Sequence, residues 1–143
     1  STNEPDQKKT NSIPATETSD TKIYGEKIIN DSAIRNIKEV EKQTGNSLLP
    51  RIFDGYIQQI EPKLAQLASE VADTESSSAY KTAHAIKSMS ANIGAERVKS
   101  IAAAIEKADR GGDQHGAGEL LPVLIKAKEE FATEMIESGI LGS

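Results

Sequence analysis

Neither cysteine nor tryptophan occurs in these 143 residues, and aromatic residues make up only 3% of them. Without thiols the chain has no disulfides, no thiolate metal sites and no cysteine nucleophile. The shortage of rings leaves Ile, Leu, Val and Ala to build the core, a composition that suits helix packing. No apolar run is long enough to cross a bilayer, and the N-terminus lacks the basic, apolar, then small-residue pattern of a signal peptide; a cytoplasmic module is expected, with no direct membrane insertion. A surplus of positive charge is missing too. The formal net charge of −5 and the pI near 5.1 argue against a nucleic-acid partner, whose phosphates need clustered Lys and Arg. There is no repeat of fixed period. Nor is there a Gly-rich phosphate loop followed by Lys-Ser or Lys-Thr, or any kinase motif, so no nucleotide site is expected.

The length supports one domain and a tail. Residues 1–27 are dominated by Ser, Thr, Asn, Asp, Glu, Lys and Pro. That composition buries too little to offset ordering entropy, so a flexible linker is expected, with the domain spanning 28–143. An opening Ser1 in place of Met suggests a piece of a longer polypeptide. A first helix is expected around Ile34, Ile37 and Val40, capped by Asp31 or Ser32 and stopped by Gly45. Asn46 and Ser47 are the next expected caps. Pro50 stands where a first-turn proline is tolerated, and Leu49, Phe53, Tyr56, Ile60, Leu64, Leu67 and Val71 form a long apolar stripe. Pro62 predicts a bend or local break in it, and Ile52 and Ile57 widen it on either side, read as core residues of which either could be left partly exposed. Asp73, Thr74 and the serines from Ser76 to Ser78 form a polar turn expected to cap a third helix, which Gly94 ends. Val98, Ile101, Ala102, Ile105 and Ala108 mark a fourth helix, with Glu96, Arg97, Lys99, Glu106 and Lys107 towards water, up to Gly111-Gly112. Ala117, Leu120, Leu121, Leu124, Phe131 and Met135 mark a last one, starting between Asp113 and Glu119, with Pro122 either delaying or kinking it. The prediction is an all-α fold: an antiparallel four-helix bundle with an additional N-terminal helix over one end or side.

The third helix carries the chemistry. At about 100° per residue, Ala79, Ala83, Ile86, Ser90 and Ile93 share one face, with Thr82 and Met89 beside them. His84 points nearly the opposite way. Tyr80 and Lys81 lie one turn before it, Lys87 and Ser88 one turn after, and Ala91 two turns after. An imidazole is a competent nucleophile near neutral pH, and a phosphoryl group placed on it adds about −1.5 to −2 of charge, which a lysine one turn away can meet. On spacing alone, an inconsequential surface histidine and a phosphoryl acceptor both stay open. His115, within Gly111-Gly112-Asp113-Gln114-His115-Gly116, reads as a solvated loop residue, because a metal site pairing it with His84 lacks recognisable ligand spacing.

The run His84-Ala85-Ile86-Lys87-Ser88-Met89-Ser90-Ala91-Asn92-Ile93-Gly94 resembles the signature of histidine-containing phosphotransfer (HPt) domains: His, two residues, Lys, a small residue, one residue, Ser, three residues, Gly. The likeness extends from about Ile28 to Glu137. It implies a bundle whose exposed histidine relays phosphoryl groups between aspartates of receiver domains. His84 would then be phosphorylated, with Lys87 the phosphate-stabilising cation. Family members often have Gly where this chain has Ser88, a conservative departure. By helical count Ser90 faces inward, and Gly94 looks structural. The module itself would hold no cofactor; Mg²⁺ is expected on the partner receiver domain, which would dock on Tyr80, Lys87, Ser88 and Ala91, with Ile57 contributing less. The linker-like N-terminus suggests the terminal module of a hybrid sensor kinase, in the cytoplasm or as the cytoplasmic part of a membrane-anchored one, and nothing in the sequence demands more than a monomer. The competing readings are a non-catalytic helical adaptor bundle and the substrate domain of a chemotaxis-type kinase.

Overall fold

The computed structural model describes residues 27–75 and 78–142, so the expected linker and the cap call on Ser76 lie outside the described residues, Lys27 excepted. Five helices follow in order: α1 (Asp31–Thr44), α2 (Leu49–Ala72), α3 (Ala79–Ile93), α4 (Glu96–Arg110) and α5 (Gln114–Glu137). From α2 to α5 the short connections turn each helix back against the one before it. α2 packs on α3, α3 on α4 and α4 on α5, and α5 returns to α2, closing a four-helix ring. α1 lies against α2 and α3. The expected all-α bundle with an extra N-terminal helix is the observed architecture. Among the described residues no helix is long and apolar enough to cross a membrane.

The core follows the apolar stripes. Ile60, Leu67, Ile86, Ile93, Ile101, Ile105, Leu124 and Phe131 are fully buried, each contributing about 1.5–3 kcal/mol by leaving water. The few aromatics are concentrated where α2 meets α5: the Phe53 and Tyr56 rings lie 6.1 and 5.6 Å from that of Phe131, the second edge-on. Ile52 is exposed, contrary to its reading as core, whereas Ile57 is half-buried and packs against the core. On α1 only Ile34 is buried, and Val40 is 45% exposed.

Several helix starts are capped from elsewhere than expected. Asn30, not Asp31 or Ser32, caps α1, its Oδ1 accepting from the Ala33 amide at 3.3 Å. Neither Asn46 nor Ser47 caps α2; the Glu41 carboxylate, from α1, accepts the Leu48 and Leu49 amides at 2.7 and 2.8 Å. Those two amides, Leu49's first, hold the Glu41 carboxyl below the usual carboxylate range. Asp113 caps α5 by accepting from Gly116 at 2.9 Å, which places His115 in the first turn of that helix and not in a loop. Pro62 and Pro122 both stand inside helices that run on past them, so neither breaks or delays its helix.

The turn between α3 and α4 is clamped. Ile29 pairs antiparallel with Ala95, with Asn30 N donating to Gly94 O at 2.8 Å and Glu96 N to Ile28 O at 3.1 Å. Gly94 has φ +82°, and a Cβ there would stand 3.1 Å from both Ala33 Cβ and Asn30 O. Glycine is needed on both counts, as its structural reading expected.

Ile86→Asp puts an unpaired charge at a fully buried site and is expected to destabilise by about 4 kcal/mol or more, unfolding or loosening the bundle. Val40→Asp, on the exposed side of α1, is expected to stay within about 0.5 kcal/mol of the parent. Denaturant melts followed by circular dichroism check both; an Ile86→Asp melt matching the parent contradicts the face assignment.

Candidate functional site

The inward face of α3 is the predicted one: Ala79, Thr82, Ala83, Ile86, Ser90 and Ile93 are all buried. Ser90 Oγ meets the Tyr56 hydroxyl at 2.8 Å inside the core, satisfying two buried polar groups at once. Burial pushes the Tyr56 hydroxyl well above the usual phenol range, and the Ser90 bond only partly offsets this. Ser78 does not cap α3. Its hydroxyl donates to Glu70 Oε2 at 3.0 Å, and a free amide of the first turn, Tyr80 N, donates to Asp109 of α4 at 2.9 Å. The start of α3 is therefore fastened to the end of α4.

With one face buried, His84 projects outward, its side chain 54% exposed. Across the tight Gly94-Ala95 turn, residues equally distant along α3 and α4 lie side by side, and the one opposite His84 is Glu106. Expected to face water, Glu106 is instead only 8% exposed. It stands four residues after the buried Ala102, on the same face of α4. One carboxylate there receives three donors: His84 Nδ1 at 3.1 Å and Arg110 Nε at 3.2 Å on Oε2, and Lys87 Nζ at 3.0 Å on Oε1. Burial works against its charged form, but the bonds from Lys87, His84 and Arg110 outweigh that and hold the Glu106 carboxyl below the usual carboxylate range.

This fixes the imidazole. A carboxylate only accepts, so Nδ1 carries a proton, and in the neutral ring Nε2 is then the nitrogen with the lone pair; among the described residues nothing bonds Nε2. Lys87 is half-buried beside the ring. Tyr80 is also half-buried, with the Arg110 guanidinium 4.5 Å from its ring centroid and Lys81 Nζ at 6.0 Å. Ser88 and Ala91 are exposed on the outer face of α3. Ile57 is not beside the ring: the Tyr56–Ser90 bond sets that part of α2 level with Ser90, about 9 Å along α3 from His84. The structure thus brings His84, Lys87 and Tyr80 together, adds Glu106 and Arg110, and leaves Ile57 apart. The two added residues carried a faint signal: Glu106 and Arg110 are four apart on one helix, and Glu106 and His84 stand equally far on either side of Ala95. His115 is exposed, its Nε2 3.2 Å from Glu119. Among the described residues no group of three or more His, Asp or Glu is placed to hold a metal ion.

A model of the Hpt domain family matches residues 51–136, more than half of the chain. No curated protein and no solved structure matches it. The matched span takes in α3 and α4 and nearly all of α2 and α5, and leaves out α1.

A carboxyl with a lowered folded-state value stabilises the fold fully above the ordinary carboxylate range and loses that contribution as the pH falls through the lowered value. Glu106→Gln is therefore expected to cost about 1–2 kcal/mol at pH 7. The gap between parent and variant should close as the pH falls below the ordinary carboxylate range and through the lowered Glu106 value, as read from urea melts across the series. A gap independent of pH contradicts the three-donor arrangement.

Proposed function

We propose that this chain, which belongs to the Hpt domain family, carries its phosphoryl group on Nε2 of His84. Hpt domains act in histidine phosphotransfer within phosphorelays and interact with receiver domains. The observation that carries the assignment to His84 is its geometry: an exposed ring whose Nδ1 is held by a buried carboxylate while Nε2 is left open to the outside.

In this reading a receiver presents its phospho-aspartate over the outer face of α3. The Nε2 lone pair attacks phosphorus in line, the bond from phosphorus to the aspartate oxygen breaks, and its electrons return to the aspartate carboxylate. The proton on Nδ1 stays where Glu106 holds it, so the positive charge that the ring acquires lies against a negative one. Lys87, one turn on, supplies a cation to the new phosphoryl oxygens. Its Nζ already stands over the same carboxylate, so a pivot of its flexible side chain is enough. Mg²⁺ is expected in the receiver. Tyr80, Ser88 and Ala91 border the ring and are the docking residues; Ile57 is at most peripheral. Transfer back to a second receiver uses the same face, in a monomeric cytoplasmic module of a hybrid sensor kinase.

Incubation with a radiolabelled phospho-receiver tests this. The parent is expected to take up label and His84→Gln none. Lys87→Ala is expected to slow transfer by about 10- to 100-fold with the bundle still folded by circular dichroism, at some cost in stability from the lost bond to Glu106. Equal labelling of the parent and His84→Gln would overturn the assignment to His84, and parent kinetics in Lys87→Ala would overturn the role given to the lysine.

A further inference from the structure

Arg110 is the charged residue of this cluster to which neither the motif nor the relay reading gives a task. Its side chain is 57% exposed, yet it is held at two points. Nε donates to Glu106 Oε2 at 3.2 Å, and the guanidinium carbon lies 4.5 Å from the Tyr80 ring centroid. Exposed arginines usually lose several rotamers' worth of entropy when they bind something; here the aromatic shelf and the carboxylate have already taken much of that freedom away.

The placement matters more than the rigidity. Arg110 Nε and His84 Nδ1 end on the same Glu106 oxygen, so the guanidinium is within two hydrogen-bond lengths of the imidazole. Nε uses one of the five N–H donors of the side chain, and the terminal nitrogens keep theirs in a planar fork that matches two oxygens of a phosphoryl group. Charge is also available. Of the charged groups on the facing turns, Lys81, Lys87 and Arg110 are positive and Glu106 and Asp109 negative, so the cluster carries a net positive charge before any phosphoryl group arrives, although the chain as a whole is at −5. A group of charge about −1.5 to −2 completes the balance that one lysine alone does not.

We propose that Arg110 is a second phosphoryl-binding residue. Resting on Tyr80 and Glu106, it closes its terminal N–H groups on the oxygens of phospho-His84 from the α4 side while Lys87 approaches from α3. Tyr80 is then the shelf that aims Arg110, in addition to bordering the docking face. The inference rests on phosphorylation at His84, so the test begins by loading that residue without a partner protein. Phosphoramidate serves, its P–N bond breaking as the Nε2–P bond forms and ammonia leaves.

The measurement is the titration of the phosphoryl group in the loaded full chain, followed by its ³¹P chemical shift. A bound cation favours the doubly charged group and lowers its titration midpoint. Arg110→Gln is expected to raise that midpoint by about 0.5–1 pH unit, and Arg110→Lys, which keeps the charge but loses the fork and the stacking, by less. In the parent, the Arg110 Nε–Hε resonance is expected to shift on loading. Both variants change a side chain that is 57% exposed, and parent-like circular dichroism at the temperature of the titration establishes that the fold is retained. Coincident titration curves for the parent and Arg110→Gln, with His84 loaded in both, would overturn the role of Arg110 and leave the relay reading standing. Failure of the parent to load while its fold is intact would overturn both.

Discussion

The site depends on one buried carboxylate. Glu106 lies between α3 and α4 and takes hydrogen bonds from an imidazole, an ammonium and a guanidinium. A carboxylate at this depth is costly unless its lone pairs are occupied, and here three donors occupy them. The same bonds that offset the desolvation of Glu106 also orient His84, so local stability and chemical poise have one source. Removing the carboxylate would leave two cations facing one another beside a ring of undetermined tautomer.

That arrangement exists because α3 and α4 are held in a fixed register. The Gly94-Ala95 turn is too short to let them slide, and the strand-like segment before α1 bonds to both sides of it. At the other end Asp109 accepts from the first turn of α3. The helix pair is thus pinned at both ends, and His84 and Glu106 fall opposite each other between the pins. The N-terminal helix lies outside the span matched to the Hpt family, yet its leading residues form one of those pins.

Much of this was readable in the residue pattern. The periodicity of Ala79, Ala83, Ile86, Ser90 and Ile93 identified the buried face of α3, and with it the exposure of His84, because a 15-residue helix packed along one side leaves no other choice. Leu49 to Leu67 marked α2 for the same reason. Less legible was whatever depends on a residue distant in sequence. Glu41 caps α2 from the preceding helix, Asp109 serves α3 from the following one, and Asn46, Ser47 and Ser78, which looked the part, do not cap. Glu106 was misread because a carboxylate among charged neighbours looks solvated; only the partners reaching it from α3 make its burial tolerable. Ile52 was misplaced for the converse reason, since its breadth of stripe exceeded what the neighbouring helices cover.

In the proposed relay Glu106 keeps the proton on Nδ1 and leaves Nε2 as the nucleophile. Long-range ¹H–¹⁵N correlation spectra of the His84 ring, recorded in mildly alkaline solution where imidazoles are neutral, observe this directly. The Nδ1–H tautomer is expected in the parent, giving way to a mixture in Glu106→Ala. A parent ring protonated on Nε2, with its lone pair turned towards Glu106, would contradict it.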